Sequence, residues 1–199
     1  MAKVKICGIR RLEDIDFLNE LQPEYAGFVF AESKRKVEAE FALSLINRLN
    51  KSIKKVGVFV DEDYKKVENI ALWLGLDVLQ FHGNETKEYI DYFKKFDVWK
   101  TVKVTNTNSL DNINNYSCDK FLLDNSIAGS GKTFDWELIK NKKLGDSIIL
   151  AGGLDSSNVQ SGIMKLNPYA VDVSSCVECE GFKDFNKIKE FITKVRELA

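Results

Sequence analysis

Eight short runs of apolar and β-branched residues recur along the chain. They start 20–29 residues apart and predict strands over 4–9, 26–30, 55–60, 78–81, 98–104, 121–123, 148–150 and 170–173. Runs such as GFVF, VGVFV and SIIL are apolar almost throughout, the pattern of strands covered on both faces. Between them the period changes. Val67, Ile70, Ala71 and Leu74 fall at i, i+3, i+4 and i+7, and Ala42, Leu45, Ile46 and Leu49 repeat the pattern. Phe185, Ile188, Ile192 and Val195 line the last segment, behind Asp184 as N-cap. Ser109 before LDNINNY and Asp135 before WELI are further cap candidates, and the fifth helix, around 110–116, is short and polar. One strand and one helix per unit, eight times over with no linker, predicts an α/β chain folded as a single (β/α)8 TIM barrel, one domain over 1–199. An open doubly wound sheet is the alternative arrangement of the same units.

Charge narrows the class of partner. The 29 Lys and Arg balance 30 Asp and Glu to a net −1, without the clustered basic surplus that nucleic acid requires. Apolar residues at 44%, with 12 Gly and only 2 Pro, fit a globular chain and not a disordered one. No apolar run approaches the roughly 18–20 residues of a membrane helix. The start, MAKVKICGIRRLED, is too charged for a signal peptide. The four cysteines therefore read as thiols of a reducing, cytoplasmic compartment.

In such a barrel the chemistry belongs at the carboxyl ends of the strands. The residues there are Cys7, Arg35, Asp61, His82, Lys103, Asp124, the AGGL of 151–154 and the DVSSC of 172–176. Gly152 and Gly153 allow backbone N–H groups to approach an anion, and Ser174 and Ser175 add donors in the next unit, so the last two loops suit a phosphate. SIAGSGKT at 126–133 misses the P-loop pattern by its first residue, Ser126; Gly129 and Gly131 fit a mobile loop over the site better. Cys176 and Cys179 form one C-x-x-C pair, which Cys7 and His82 would complete as a zinc set. With no second such pair the expectation is no metal. Cys118 precedes the sixth strand, at the opposite end, and is expected to be inert.

KVKICGIR, YAGFVF with SKR, VGVFVDE, LQFHG, LLDNSIAGSGKTFDW, ILAGGLDSSNV, AVDVSSCVE and GFKD follow one another over nearly the whole chain. In this order they resemble the phosphoribosylanthranilate isomerase family of tryptophan biosynthesis. KICGI and GSGKTFDW are specific to it, whereas AGGL is shared by many phosphate-binding barrels. The resemblance implies a cofactor-free Amadori rearrangement of a phosphosugar, N-(5-phosphoribosyl)anthranilate, to 1-(2-carboxyphenylamino)-1-deoxyribulose 5-phosphate. It implies Asp124 as the general acid that protonates the furanose oxygen and Cys7 as the general base that takes the C2 proton. It also implies Arg35 on the anthranilate carboxylate, His82 and Asp172 as polar contacts, and Gly152, Gly153, Ser174 and Ser175 around the phosphate. Ring opening needs the acid form of Asp124, which a neighbouring carboxylate or burial must preserve. Proton abstraction needs thiolate at Cys7, which calls for local positive potential or concerted transfer.

Two positions depart from the family pattern. Cys176 stands where Gly normally follows DVSS, and if φ is positive there its side chain costs about 1–2 kcal/mol. Glu180 stands where a Pro is usual, which is expected to loosen the loop. Closing the barrel would set Cys176 and Cys7 on neighbouring strand ends, so a Cys7–Cys176 or Cys176–Cys179 disulfide is conceivable under oxidation. Other readings stay open: the related isomerase of histidine biosynthesis, which works with paired aspartates; indole-glycerol-phosphate synthase, which would want an early Lys and Glu; and a non-catalytic phosphate-binding barrel. Monomer and homodimer are both open.

Overall fold

The computed structural model describes residues 1–111, 113–125, 133–139, 142 and 145–198. Strands β1 (Lys3–Cys7), β2 (Tyr25–Val29), β3 (Lys54–Phe59), β4 (Val78–Phe81), β5 (Asp97–Val104), β6 (Lys120–Asn125), β7 (Ile148–Leu150) and β8 (Ala170–Val173) pair in parallel, each with the next. The ring closes because β8 pairs back onto β1, from Lys3 opposite Ala170 to Ile6 opposite Val173. That closure excludes the open sheet and leaves no edge strand.

Helices α1 (Leu12–Leu21), α2 (Ala39–Ile46), α3 (Tyr64–Leu74), α4 (Lys87–Tyr92), α5 (Val159–Leu166) and α6 (Phe185–Arg196) cover the outside. On α3 the predicted Val67, Ala71 and Leu74 are buried and Ile70 half-buried; on α6 the predicted Ile188, Ile192 and Val195 are buried together with Phe191, and Phe185 is half-buried. Asp184 caps α6 by accepting from the Lys187 N–H at 2.9 Å, as Asp63 does for α3. No helix among the described residues is long and apolar enough to cross a membrane.

The expected eight-helix count is corrected after β5 and β6, where the described residues hold only 3-10 turns, Ile113–Asn115 after β5 and Trp136–Leu138 and Gly145–Ser147 after β6. Asn and Asp offer the backbone local partners that compete with helix, and LDNINNY is rich in them. Ser109 illustrates this: its Oγ accepts from the Thr105 and Asn106 N–H groups behind it instead of capping a helix ahead. Asp135 does cap, but only a single turn, accepting from the Glu137 N–H.

A hairpin absent from the predicted elements follows β8, with strands β9 (Glu178–Cys179) and β10 (Phe182–Lys183). Its two turn residues, Glu180 and Gly181, have φ of +52° and +82°, the left-handed pair of a type I′ turn. Proline, locked near −65°, cannot take that conformation, so the turn seen here requires a residue other than the Pro that the resemblance led one to expect at 180. Cys176 lies in the 3-10 turn Ser175–Val177 without left-handed backbone, so the strain expected of a side chain at positive φ does not arise. The hairpin is docked by Arg10 and Arg11, which donate to the Gly181 and Lys183 carbonyls and lie over the Phe182 ring.

Inside the ring, Tyr25, Val56, Val78, Trp99, Leu122, Ile149, Ala151 and Ala170 form a cluster distinct from the larger core between sheet and helices. Side chains alternate along a strand, so stepping two residues on from this plug gives Gly27, Val58, Gln80, Thr101, Asp124 and Asp172. Parity alone therefore turns polar residues toward the carboxyl end. The loop that carries His82 is pinned by a buried ion pair. Lys100 Nζ lies 2.9 Å from Glu85 and donates to the Gly83 carbonyl, while Glu85 accepts from the Asp61 and Gly83 N–H groups.

Two stability effects follow. Lys100→Met strands the Glu85 charge in the interior and is expected to cost about 3–5 kcal/mol in urea unfolding; a loss below about 1 kcal/mol would show that the pair does not hold the loop. Glu180→Asn keeps the turn with a residue that tolerates the left-handed region, and should add about 0.5–1 kcal/mol. An unchanged or lower midpoint would contradict the I′ geometry.

Candidate active site

At the carboxyl ends of the strands lies a cavity of about 300 Å³. All nine candidate residues line it: Cys7, Arg35, His82, Asp124, Gly152, Gly153, Asp172, Ser174 and Ser175. Asp61 follows β3 and Lys103 lies near the end of β5, but neither lines it. Cys176 does, whereas Cys179 is exposed on the hairpin and stays outside, so the four conceivable zinc ligands do not gather there. All four cysteines are free thiols. Burial pushes the Cys118 thiol up to about 12, in keeping with an inert group. Ser126 to Lys132, including Gly129 and Gly131 of the near-match to a P-loop, lie outside the described residues.

On one wall, β1 presents Cys7, only 8% exposed. Two residues below on the same face is Lys5, wholly buried, with Nζ 2.8 Å from Asp172 of β8. Burial pushes the Cys7 thiol up, Asp172 adds to the rise, and Lys5 and Lys183 act against it. Burial alone would lower Lys5, but Asp172 and the thiol outweigh it and the ammonium is held above its ordinary range. Ser174 Oγ donates to the Cys7 carbonyl at 3.0 Å, tying the β8 loop to the end of β1.

The facing wall carries Asp124 at the end of β6, three strands round the ring from β1 through β8 and β7. Its Oδ1 accepts from the Asn125 N–H at 2.7 Å, and its Oδ2 lies 3.4 Å from His82 Nε2. On the other side of the imidazole, Nδ1 lies 3.3 Å from Gln80 Nε2 and 3.1 Å from Thr101 Oγ1. An amide nitrogen can only donate, so Nδ1 accepts and the neutral ring carries its proton on Nε2, toward Asp124. Gly152 crowds the same carboxyl group. It has φ of +75°, and a Cβ there would sit 2.6 Å from Asp124 Oδ1, so only glycine fits.

Arg35 enters from the loop after β2 and grips Glu178 with Nε and Nη2, each 2.7 Å from a carboxylate oxygen. Lys183, also buried, donates to Glu178 at 2.8 Å and to the Ser174 carbonyl at 2.9 Å. Burial would raise Glu178, but Arg35 and Lys183 hold its carboxyl below the usual range. Reading strand ends missed Lys5, Gln80, Glu178 and Lys183. For the first two a signal existed, since Lys5 and Cys7, like Gln80 and His82, are two apart and share a face.

The family model described as N-(5'phosphoribosyl)anthranilate (PRA) isomerase matches residues 4–194. The N-(5'-phosphoribosyl)anthranilate isomerase of Thermoanaerobacter sp. (strain X514) is 54% identical over 202 residues, covering 100% of both chains. A crystal structure of mutually generated monomers of the dimeric phosphoribosylanthranilate isomerase from Thermotoga maritima is 39% identical, with a TM-score of 0.90, covering 99% of this chain and 100% of that one. A phosphoribosyl anthranilate isomerase in complex with reduced 1-(o-carboxyphenylamino)-1-deoxyribulose 5-phosphate is 37% identical, with a TM-score of 0.89 and the same coverage. Motif order, barrel closure and full-length similarity agree: the chain belongs to the N-(5'-phosphoribosyl)anthranilate isomerase family.

Proposed function

We propose that this protein converts N-(5'-phosphoribosyl)anthranilate to 1-(2-carboxyphenylamino)-1-deoxyribulose 5-phosphate, the Amadori step of tryptophan biosynthesis, with Asp124 as acid and Cys7 as base. The observation that carries this reading is one carboxyl group and one thiol facing a shared cavity from β6 and β1. Asp124 gives its proton to the furanose oxygen as the C1–O bond breaks, and the nitrogen lone pair makes the C1=N bond. The Cys7 thiolate then takes the C2 proton, leaving an enolamine; protonation at C1 with loss of the 2-hydroxyl proton gives the ketone, and proton exchange with water returns Cys7 to thiolate and Asp124 to its acid form. The electrons move from one carbon of the substrate to the next, so the isomerisation balances without an external oxidant or reductant.

The other residues serve this sequence. His82 Nε2–H faces Asp124 and stabilises the carboxylate left after its proton has gone. Glu178 occupies the Nε–Nη2 edge of Arg35, so the anthranilate carboxylate meets the guanidinium along its Nη1 side. Gly152 and Gly153, with φ of +75° and +65°, let the backbone approach the phosphate. The hydroxyl proton of Ser174 is committed to the Cys7 carbonyl, so Ser174 contributes its amide and Ser175 its hydroxyl. Every group named comes from one chain, which suits a monomer or a homodimer, and a reducing cytoplasm keeps the thiol intact.

The test generates the substrate in situ and follows the loss of its fluorescence. The wild-type chain should turn over, and Cys7→Ser and Asp124→Asn should each cut kcat by about 10²–10⁴-fold with the fold intact. Ligand binding without turnover by the wild type would instead make this a non-catalytic phosphate-binding barrel.

A further inference from the structure

Lys5 has no part in lining the cavity, yet it is the most buried charge around it, with 0% of its surface exposed. It and Cys7 lie two residues apart on the inward face of β1. In register, Lys5 stands opposite Asp172 of β8, and Cys7 stands opposite Gly27 of β2. Gly27 has no side chain, and a Cβ there would lie 2.9 Å from Cys7 Sγ and 3.2 Å from Lys5 Cε. The thiol and the end of the lysine stem thus pack around one point. A buried ion pair contributes little to stability when apolar residues would fill the same volume, so Lys5–Asp172 asks for another use.

We propose that Lys5 is a positioning residue for the reaction: anchored by Asp172, its ammonium stabilises the thiolate that Cys7 must form to act, without making the thiolate its resting form. This rests on Cys7 being the base of the proposed function. The charges facing Cys7 are Lys5 on its own strand, Asp172 on β8, Lys183 on β10 and Arg35 after β2, with Glu178 neutralised between the last two. Lys5 keeps its proton throughout, and the proton taken from substrate C2 goes to sulfur.

The test is carbamidomethylation of Cys7 by iodoacetamide across a pH series on the whole chain, read by peptide mass spectrometry. The thiolate displaces iodide and forms the S–C bond, so the rate follows the thiolate fraction. Lys5→Met should slow Cys7 on the order of tenfold near neutral pH and move its profile up by about one unit. Asp172→Asn removes the opposing charge and should speed it. Cys179, exposed on the hairpin, is the internal reference and should be unaffected. A folded Lys5→Met chain alkylated at the wild-type rate, or two variants shifting Cys7 in the same direction, overturns the proposal. Where Lys5→Met does not fold, Asp172→Asn that slows Cys7 or leaves it unchanged overturns it equally. The expected shifts with an unaltered kcat in Lys5→Met would uphold Lys5 as the group that charges Cys7, and the assignment of Cys7 as base would fall.

Discussion

Closing the sheet between β8 and β1 brings Lys5 and Asp172 together at 2.8 Å inside the ring, and much else depends on that one contact. Two charges withdrawn from water each carry a solvation penalty of several kcal/mol, which is offset only while they face one another in good geometry. Register supplies that geometry: Lys5 lies directly across from Asp172, with the apolar plug of Tyr25, Trp99 and Leu122 among the inward residues of the same ring. Above the pair sits Cys7, whose thiol shares a buried polar pocket with an ammonium and a carboxylate of opposite influence.

The outer charges continue the same logic. Arg35, Glu178 and Lys183 form a second network that joins the loop after β2 to the hairpin after β8, and Lys183 also donates to the Ser174 carbonyl. Ser174 in turn reaches the Cys7 carbonyl, so Cys7, the loop after β8 and Arg35 are mechanically linked. Across the cavity, Gln80 and Thr101 orient His82, and His82 faces Asp124. Asp124 and Cys7, the proposed acid and base, are thereby held by separate scaffolds on different strands, an arrangement that would keep reacting groups preorganised.

Much of this was legible in the residues. Strands buried on both faces must be apolar, so VGVFV and SIIL declared themselves, and every predicted strand falls on one of the eight observed. Among the described residues no α-helix follows β5 or β6: after β5 the Ser109 side chain satisfies the backbone locally, and after β6 Asp135 caps only a single turn. The strand-end rule collected all nine candidate site residues, since a barrel projects them into one mouth, but it also collected Asp61 and Lys103, which do not line that mouth. Lys5 and Lys183 escaped because a lysine in a linear sequence looks solvated, and only their three-dimensional partners, Asp172 and Glu178, make burial tolerable. The hairpin escaped because its strands are two residues long, too short for any period to show.

The decisive measurement is a crystal structure of this protein with the reduced product analogue bound. The proposed chemistry predicts C2 within about 4 Å of Cys7 Sγ, the Asp124 carboxyl group on the opposite side of the sugar, the anthranilate carboxylate on Arg35 and the phosphate at Gly152, Gly153 and Ser175. A ligand seated with Cys7 and Asp124 on the same side of the sugar, or with C2 out of reach of the thiol, would contradict it.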